Sequence, residues 1–187
     1  MAGRLALPDP ALEDARVRLR GWRDTDLPCV REAALDPATG ETTTLPHPYT
    51  DPAGRGWLVA QEARFASCEA LSLAIAGSGS DDALGAAVLA PQPEPGVARI
   101  ACWLAPRARG HGYASAGLRL LSHWALTDAG FARVEALVNP ANVASLRMLE
   151  RAGFTAEGRL RSYLWLGSRR ADAISYSLLA DELTPSG

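Results

Sequence analysis

The sequence predicts an α/β fold, a mixed sheet layered against helices, and three observations lead there. Runs of period two and runs of helical period follow one another in the order β-α-α-β-β-β-α-β-α-β-β. The apolar run of residues 97–104 stops at Pro106, and a glycine-rich turn then opens a long helical pattern. Residues 77–82 and 91–96, rich in Gly, Ser and Pro, are turns between three consecutive strand-like runs.

Each element has its own signal. Residues 1–15 contain Arg4, Asp9, Glu13 and two prolines, and read as a loose leader to a single domain over residues 16–183. Val17, Leu19 and Gly21 alternate with Arg16, Arg18 and Arg20, which predicts a half-exposed first strand. Asp24 and Asp26 supply helix-start chemistry before Leu27, Val30, Ala33 and Ala34, so residues 23–26 are expected to be a turn and cap. Residues 41–52 hold prolines and threonines without periodicity, and are expected to be a loop. Trp57, Leu58, Ala60, Gln61 and Phe65 fall at helical spacing, and residues 71–76 and 83–89 are strand-like. After the glycine turn, Ala114, Leu118, Leu121 and Ala125 at i, i+4, i+7 and i+11 predict an amphipathic helix closed by Gly130. Residues 131–138 read as a buried strand. Asn142 caps a short helix that Gly153 ends, and residues 154–166 and 171–179 form a closing hairpin turning at Gly167-Ser168.

The bulk composition narrows the function classes. A chain of 187 residues is long enough to bury a full core. Its net charge of −2 argues against broad nucleic-acid binding, which needs a basic excess. Cys29, Cys68 and Cys102 are far apart and odd in number, so neither a disulfide scaffold nor a metal site is expected. No secretory leader or membrane span is visible, which points to a cytoplasmic protein, a monomer or a homodimer.

The glycine turn carries the chemistry. Residues 103–113 read WLAPRARGHGY, so a strand runs through Arg107, Arg109, Gly110 and Gly112 into a helix. The first N–H groups of a helix have no intrahelical partner and sit at the positive end of its dipole, so such a turn suits a phosphate or diphosphate. No lysine follows the glycines, which excludes a nucleoside-triphosphate loop, and Ser115 stands where a dinucleotide fingerprint needs its last glycine.

What remains, R-x-x-G-x-G at Arg107, Gly110 and Gly112, resembles the acyl-CoA diphosphate loop of the GNAT N-acetyltransferase superfamily. A second stretch, Asn142-x-x-Ser145 followed by Gly153-Phe154, is similar to the next motif of that superfamily, especially in its ribosomal-protein alanine N-acetyltransferase branch. Glu157-Gly158, Asp172 and the strand 174–179 also fit that branch, and the similarity covers most of residues 16–183. The resemblance implies a mostly antiparallel GNAT-like sheet whose strands 97–104 and 131–138 splay apart to admit the pantetheine arm. It implies acetyl-CoA as co-substrate and a primary amine as acceptor, with no metal. Backbone of Cys102, Trp103 and Leu104 would hold the arm. Amides of Arg109, Gly110, His111, Gly112, Tyr113 and Ala114 would bind the diphosphate, with charge from Arg107 and Arg109 and with Arg151 near the 3′-phosphate. Asn142 would orient the arm near the thioester, and Ser145, one turn on, would protonate the departing thiolate. The loop of residues 41–52, with His47 and Tyr49, would border the acceptor.

No strong base stands out. The branch carries a carboxylate in some members at the position of Leu164, which cannot serve. Glu157, Glu135, Asp172 and His111 remain as candidates. An α-amine acceptor needs only a weak one, since its pKa near 8 leaves roughly a tenth neutral at pH 7, against under about a thousandth of lysines. The expected reaction is acetylation of an α-amine of a protein or peptide N-terminus or of a small molecule. Acetylation of an antibiotic-like amine, for which Glu41 and Asp51 would be acidic loop residues, and a non-catalytic acyl-CoA sensor remain as alternatives.

Overall fold

The chain folds around one eight-stranded sheet. In chain order its strands are β1 (Leu12–Glu13), β2 (Val17–Arg20), β3 (Leu71–Gly77), β4 (Ala83–Pro91), β5 (Val97–Leu104), β6 (Arg133–Val138), β7 (Thr155–Leu166) and β8 (Arg169–Leu179). The computed structural model describes residue 3, residues 5–40 and residues 43–183. Across the sheet the order is β1-β2-β3-β4-β5-β6-β8-β7. Every neighbouring pair is antiparallel except β5 with β6. The helices are α1 (Leu27–Ala34), α2 (Pro37–Gly40), α3 (Asp51–Ala66), α4 (Tyr113–Thr127) and α5 (Val143–Arg151).

Strand β3 shows how the layers form. Leu71, Leu73 and Ile75 join the main core with Leu118 and Leu121 of α4, whereas Ala74 packs with Cys29 of α1. Successive side chains of a strand point to opposite faces, so α4 covers one face and α1 the other, with α3 packed beside α1. That double cover explains why β3 reads as an unbroken apolar run rather than an alternating one. Gly117 lets α4 lie close: a Cβ there would stand 3.1 Å from Ile75 Cδ1.

The splay that the resemblance implies is present. Strands β5 and β6 pair only at Val97↔Arg133, Ala98↔Val134 and Arg99↔Glu135. Beyond Arg99, β5 stays paired with β4 as far as Gly85↔Leu104, while β6 follows β8 up to Val138↔Ile174. A V-shaped seam opens between them. On the other side of β5, a Cβ on Gly85 of β4 would lie 2.1 Å from the Trp103 carbonyl oxygen, so only glycine admits the close approach of β4 and β5 there.

Four local readings change. The stretch expected to be a loose leader contributes β1, which pairs with β2, and buries Leu5 in the main core; Arg4 lies outside the described residues. Alternation placed Arg20 on the exposed face, yet it is buried because Asp26 and Asp81 bind its guanidinium. The loop expected over residues 41–52 yields its last two residues to α3, whose first turn is capped by Thr50 Oγ1 accepting from Ala53 N at 3.3 Å; Glu41 lies outside the described residues. The closing strand β8 begins at Arg169, two residues earlier than its pattern suggests. At the sheet's end, β7 pairs with β8 alone among the described residues, with register shifts between Ala156 and Gly158 and between Leu160 and Leu164.

Candidate active site

The turn after β5 is built by two left-handed glycines. Gly110 and Gly112 both have φ of +81°, a conformation that side-chain-bearing residues rarely adopt. Gly112 is the N-cap of α4 and offers no side chain to close it. The first rung of the helix is Ala116 N to Gly112 O at 3.1 Å. The amides of Tyr113, Ala114 and Ser115 therefore stand ahead of the ladder, at the positive end of a fifteen-residue helix. Ser115 Oγ donates to the Met148 carbonyl at 3.3 Å, which ties this turn to α5.

The two arginines of the loop are held elsewhere. Arg107 donates its backbone N–H to Glu32 Oε1 at 2.9 Å and its guanidinium to Glu32 and to the Ala83 carbonyl. Arg109 binds Asp36, Thr39 Oγ1 at 3.0 Å and the Leu104 carbonyl at 3.2 Å. Both thus clamp the turn to the α1–α2 region, rather than standing free as loop charges. His111 is exposed and stacks on Tyr113, ring centroids 5.6 Å apart.

The end of β5 shows two different faces. Cys102 packs its sulfur 3.3 Å from Met148 Sδ of α5, and burial pushes its thiol up to about 12, so it stays protonated. Trp103 faces the other way. It stacks on Trp22 at 5.8 Å, and Trp57 of α3 stands edge-on to both, at 5.1 and 6.0 Å. The indole N–H groups are satisfied by Ser72 Oγ at 3.1 Å for Trp22 and by Thr44 Oγ1 at 3.2 Å for Trp57. Tyr49 packs into the same wall, and His47 is exposed. The sequence reading missed Trp22 in this wall; its signal was a large apolar residue just past the first strand, with no local periodicity to assign it.

Across the seam, Asn142 caps α5 by accepting from Ser145 N at 3.1 Å. Ser145 is half-buried one turn into that helix. Arg151 is exposed at the helix's last turn, where its carbonyl accepts from Arg119 Nη1 at 3.3 Å.

The three candidate carboxylate bases are occupied. The Arg133 guanidinium and Ser177 Oγ bind the Glu157 carboxylate and hold it down to about 2, against an ordinary 4.5. Such a carboxylate accepts a proton poorly at neutral pH, and it is in this ion pair that the structure places Glu157, which the sequence reading set among the catalytic groups. Glu135 accepts from Arg99 at 2.5 Å on the paired part of β6. The Ser162 amide and Arg159 hold Asp172 below the usual carboxylate range. Leu164 pairs with Ala171 inside the β7–β8 hairpin. Among the described residues, no three His, Cys, Asp or Glu side chains group as a metal site, and no helix is long and apolar enough to cross a membrane.

Comparison with known proteins agrees with this architecture. A family model described as the acetyltransferase (GNAT) domain matches residues 16–155. The uncharacterized N-acetyltransferase p20 of Bacillus licheniformis is 35% identical over 89 residues, which are 48% of this chain and 50% of that protein. The chain spans about half the length of the curated relatives it matches. Among solved structures, RimJ of Mycobacterium smegmatis in complex with CoA-disulfide superposes with a TM-score of 0.79 at 23% identity, covering 91% of this chain and 85% of that one. The ribosomal L7/L12 α-N-protein acetyltransferase RimL in complex with coenzyme A gives 0.77 at 20% identity, covering 92% and 99%. At these identities the structural likeness concerns the fold; the family match runs from the strand before α1 through the glycine turn to the end of α5, and by it the chain belongs to the GNAT acetyltransferase family.

Proposed function

We propose that the protein is an acetyl-CoA-dependent N-acetyltransferase that acetylates an α-amine, at a protein or peptide N-terminus or on a small molecule. One observation carries the reading: the open seam beyond Arg99 leads directly into the uncapped N-terminus of α4. A pantetheine arm carries two amides, and the edge of β5 that β6 leaves unpaired offers backbone partners for them at Cys102 to Leu104. A diphosphate at the end of that arm would meet the amides of Gly110 to Ala114. Acetyl-CoA complexes and CoA complexes are known for proteins of this fold, which supports the same ligand here.

In this reading the acyl group sits in the seam with the Trp22–Trp57–Trp103 wall on the side of the acceptor. The neutral amine attacks the thioester carbonyl, and the tetrahedral adduct collapses to an amide and a thiolate. Backbone N–H groups of β5 stabilise the oxyanion. Ser145 Oγ–H protonates the thiolate and regains a proton through water from the attacking amine, and Asn142 orients the arm while it caps α5. The amine's proton leaves through water: the carboxylates near the seam are paired to arginines, and an α-amine is neutral often enough at pH 7 to need no stronger base.

The test offers acetyl-CoA with a panel of acceptors: N-terminal peptides, amino-acid amides, Nα-blocked lysine and an aminoglycoside. Thiol release and acceptor mass are followed. Turnover confined to acceptors with a free α-amine is expected. Turnover on blocked lysine or the aminoglycoside alone would overturn the acceptor class, CoA binding without turnover on any amine would leave a sensor, and absence of CoA binding would end the reading.

A further inference from the structure

The charge at the diphosphate cradle has a second source that the motif does not name. Arg16 lies just ahead of β2, on backbone pinned from two sides. Its N–H and that of Val17 both donate to Asp14 Oδ1 at 2.8 Å, and its carbonyl accepts from Ser78 N at 3.1 Å. Ser78 Oγ adds a bond to the Ala15 carbonyl at 2.8 Å. From this anchor the side chain reaches across to the glycine turn: a Cβ on Gly112 would come within 3.0 Å of Arg16 Nη1. The guanidinium therefore lies against the N-cap residue of α4, in space that only a glycine leaves open.

Its pairing differs from that of the loop arginines. Glu32 and Asp36 neutralise Arg107 and Arg109. Among the described residues, the ion pairs of neighbouring Arg18 and Arg20 are with Glu13, Asp26 and Asp81, and none involves Arg16. A diphosphate brings two negative charges, and helix amides supply only partial positive ones. A ligand drawing on Arg107 or Arg109 would first have to separate an existing carboxylate pair. Arg16 lies beside the cradle without that cost.

We propose that Arg16 supplies the positive charge that binds the CoA diphosphate, with Arg107 and Arg109 serving to hold the turn in shape. The proposal rests on the acetyl-CoA reading above and adds to it a residue from outside the glycine motif. It also gives Gly112 two duties, the left-handed N-cap and the clearance for Arg16.

The experiment measures binding of CoA, 3′-dephospho-CoA and pantetheine by calorimetry to the unaltered 187-residue chain and to its Arg16→Gln and Arg16→Lys variants. Loss of one charge-assisted contact weakens binding by about tenfold. Arg16→Gln is expected to lose that factor for CoA and for 3′-dephospho-CoA alike and to leave pantetheine unchanged; Arg16→Lys recovers part of it. A loss confined to CoA would assign Arg16 to the 3′-phosphate, and an equal loss for pantetheine would make it a brace of the turn; either overturns the proposal, as does wild-type affinity in Arg16→Gln. If the unaltered protein binds none of the three ligands, the failure belongs to the acetyl-CoA reading.

Discussion

The Arg20 guanidinium grips the Asp26 carboxylate with both arms, Nη1 to Oδ2 at 2.8 Å and Nη2 to Oδ1 at 2.9 Å, with the side chains only 7% and 3% exposed. A third bond, Nε to Asp81 Oδ1 at 3.0 Å, adds the turn between β3 and β4. One buried fork thus fastens the end of β2, the approach to α1 and that turn together. Removing one partner strands the other charge, which costs about 3–5 kcal/mol in buried pairs. Asp26→Ala should lower unfolding stability by that order in urea titration, and Arg20→Lys with Asp26 intact should lower it too, because an ammonium cannot reproduce the planar fork. A change below about 1 kcal/mol in Asp26→Ala would place the pair in the surface class instead.

Asn142 combines a structural and a proposed chemical role, and one substitution separates them. Asn142→Ala removes the α5 cap and should cost about 1 kcal/mol of stability. Asn142→Ser keeps a capping oxygen, so stability should return while acetyl-CoA affinity and rate stay depressed. Ser145→Ala should lower the single-turnover rate, by a factor near the floor of the roughly 10²–10⁴-fold range of general acid catalysis, with little change in acetyl-CoA affinity. Wild-type turnover in Ser145→Ala would reduce its hydroxyl to a helix residue and leave the thiolate to water.

Glu157 makes acid stability, not catalysis, the place to look for its effect. Its folded pKa is depressed to about 2 by Arg133, so its stabilisation is fully present above the ordinary 4.5 and is lost as pH falls from there through 2. Between those values the unfolded chain binds the extra proton, so stability declines with acid. Glu157→Gln should flatten that limb of the stability curve and leave the pH–rate profile at pH 6–9 unmoved. Loss of the rising acid limb of the rate profile in this variant would assign Glu157 as the base.

What the sequence disclosed and what it hid follow one physical division. Strand β5, helix α4 and helix α5 are governed by local signals: an apolar run ended by Pro106, a 3.6 period opened by Gly112, a capping Asn142. All three were readable to within a residue or two. Arg20 defeated alternation because its burial depends on Asp81, sixty-one residues away. Arg107 and Arg109 looked like free loop charges because Glu32 and Asp36 lie more than seventy residues upstream. The seam itself has no local signature, since pairing that stops after Arg99 is a relation between strands. The candidate carboxylates misled for the same reason: Glu157, Glu135 and Asp172 look available one at a time and are each occupied by a partner that only the folded chain supplies.

The sheet's outer boundary raises a matter of company rather than catalysis. Strand β7 is twelve residues long and ends the sheet, and a straight, bare strand of that length is a template on which another chain can add. Its two register shifts break the rhythm of donors and acceptors that a newcomer would have to match. An edge strand interrupted in this way is a poorer template for stacked sheets than an even one of the same length.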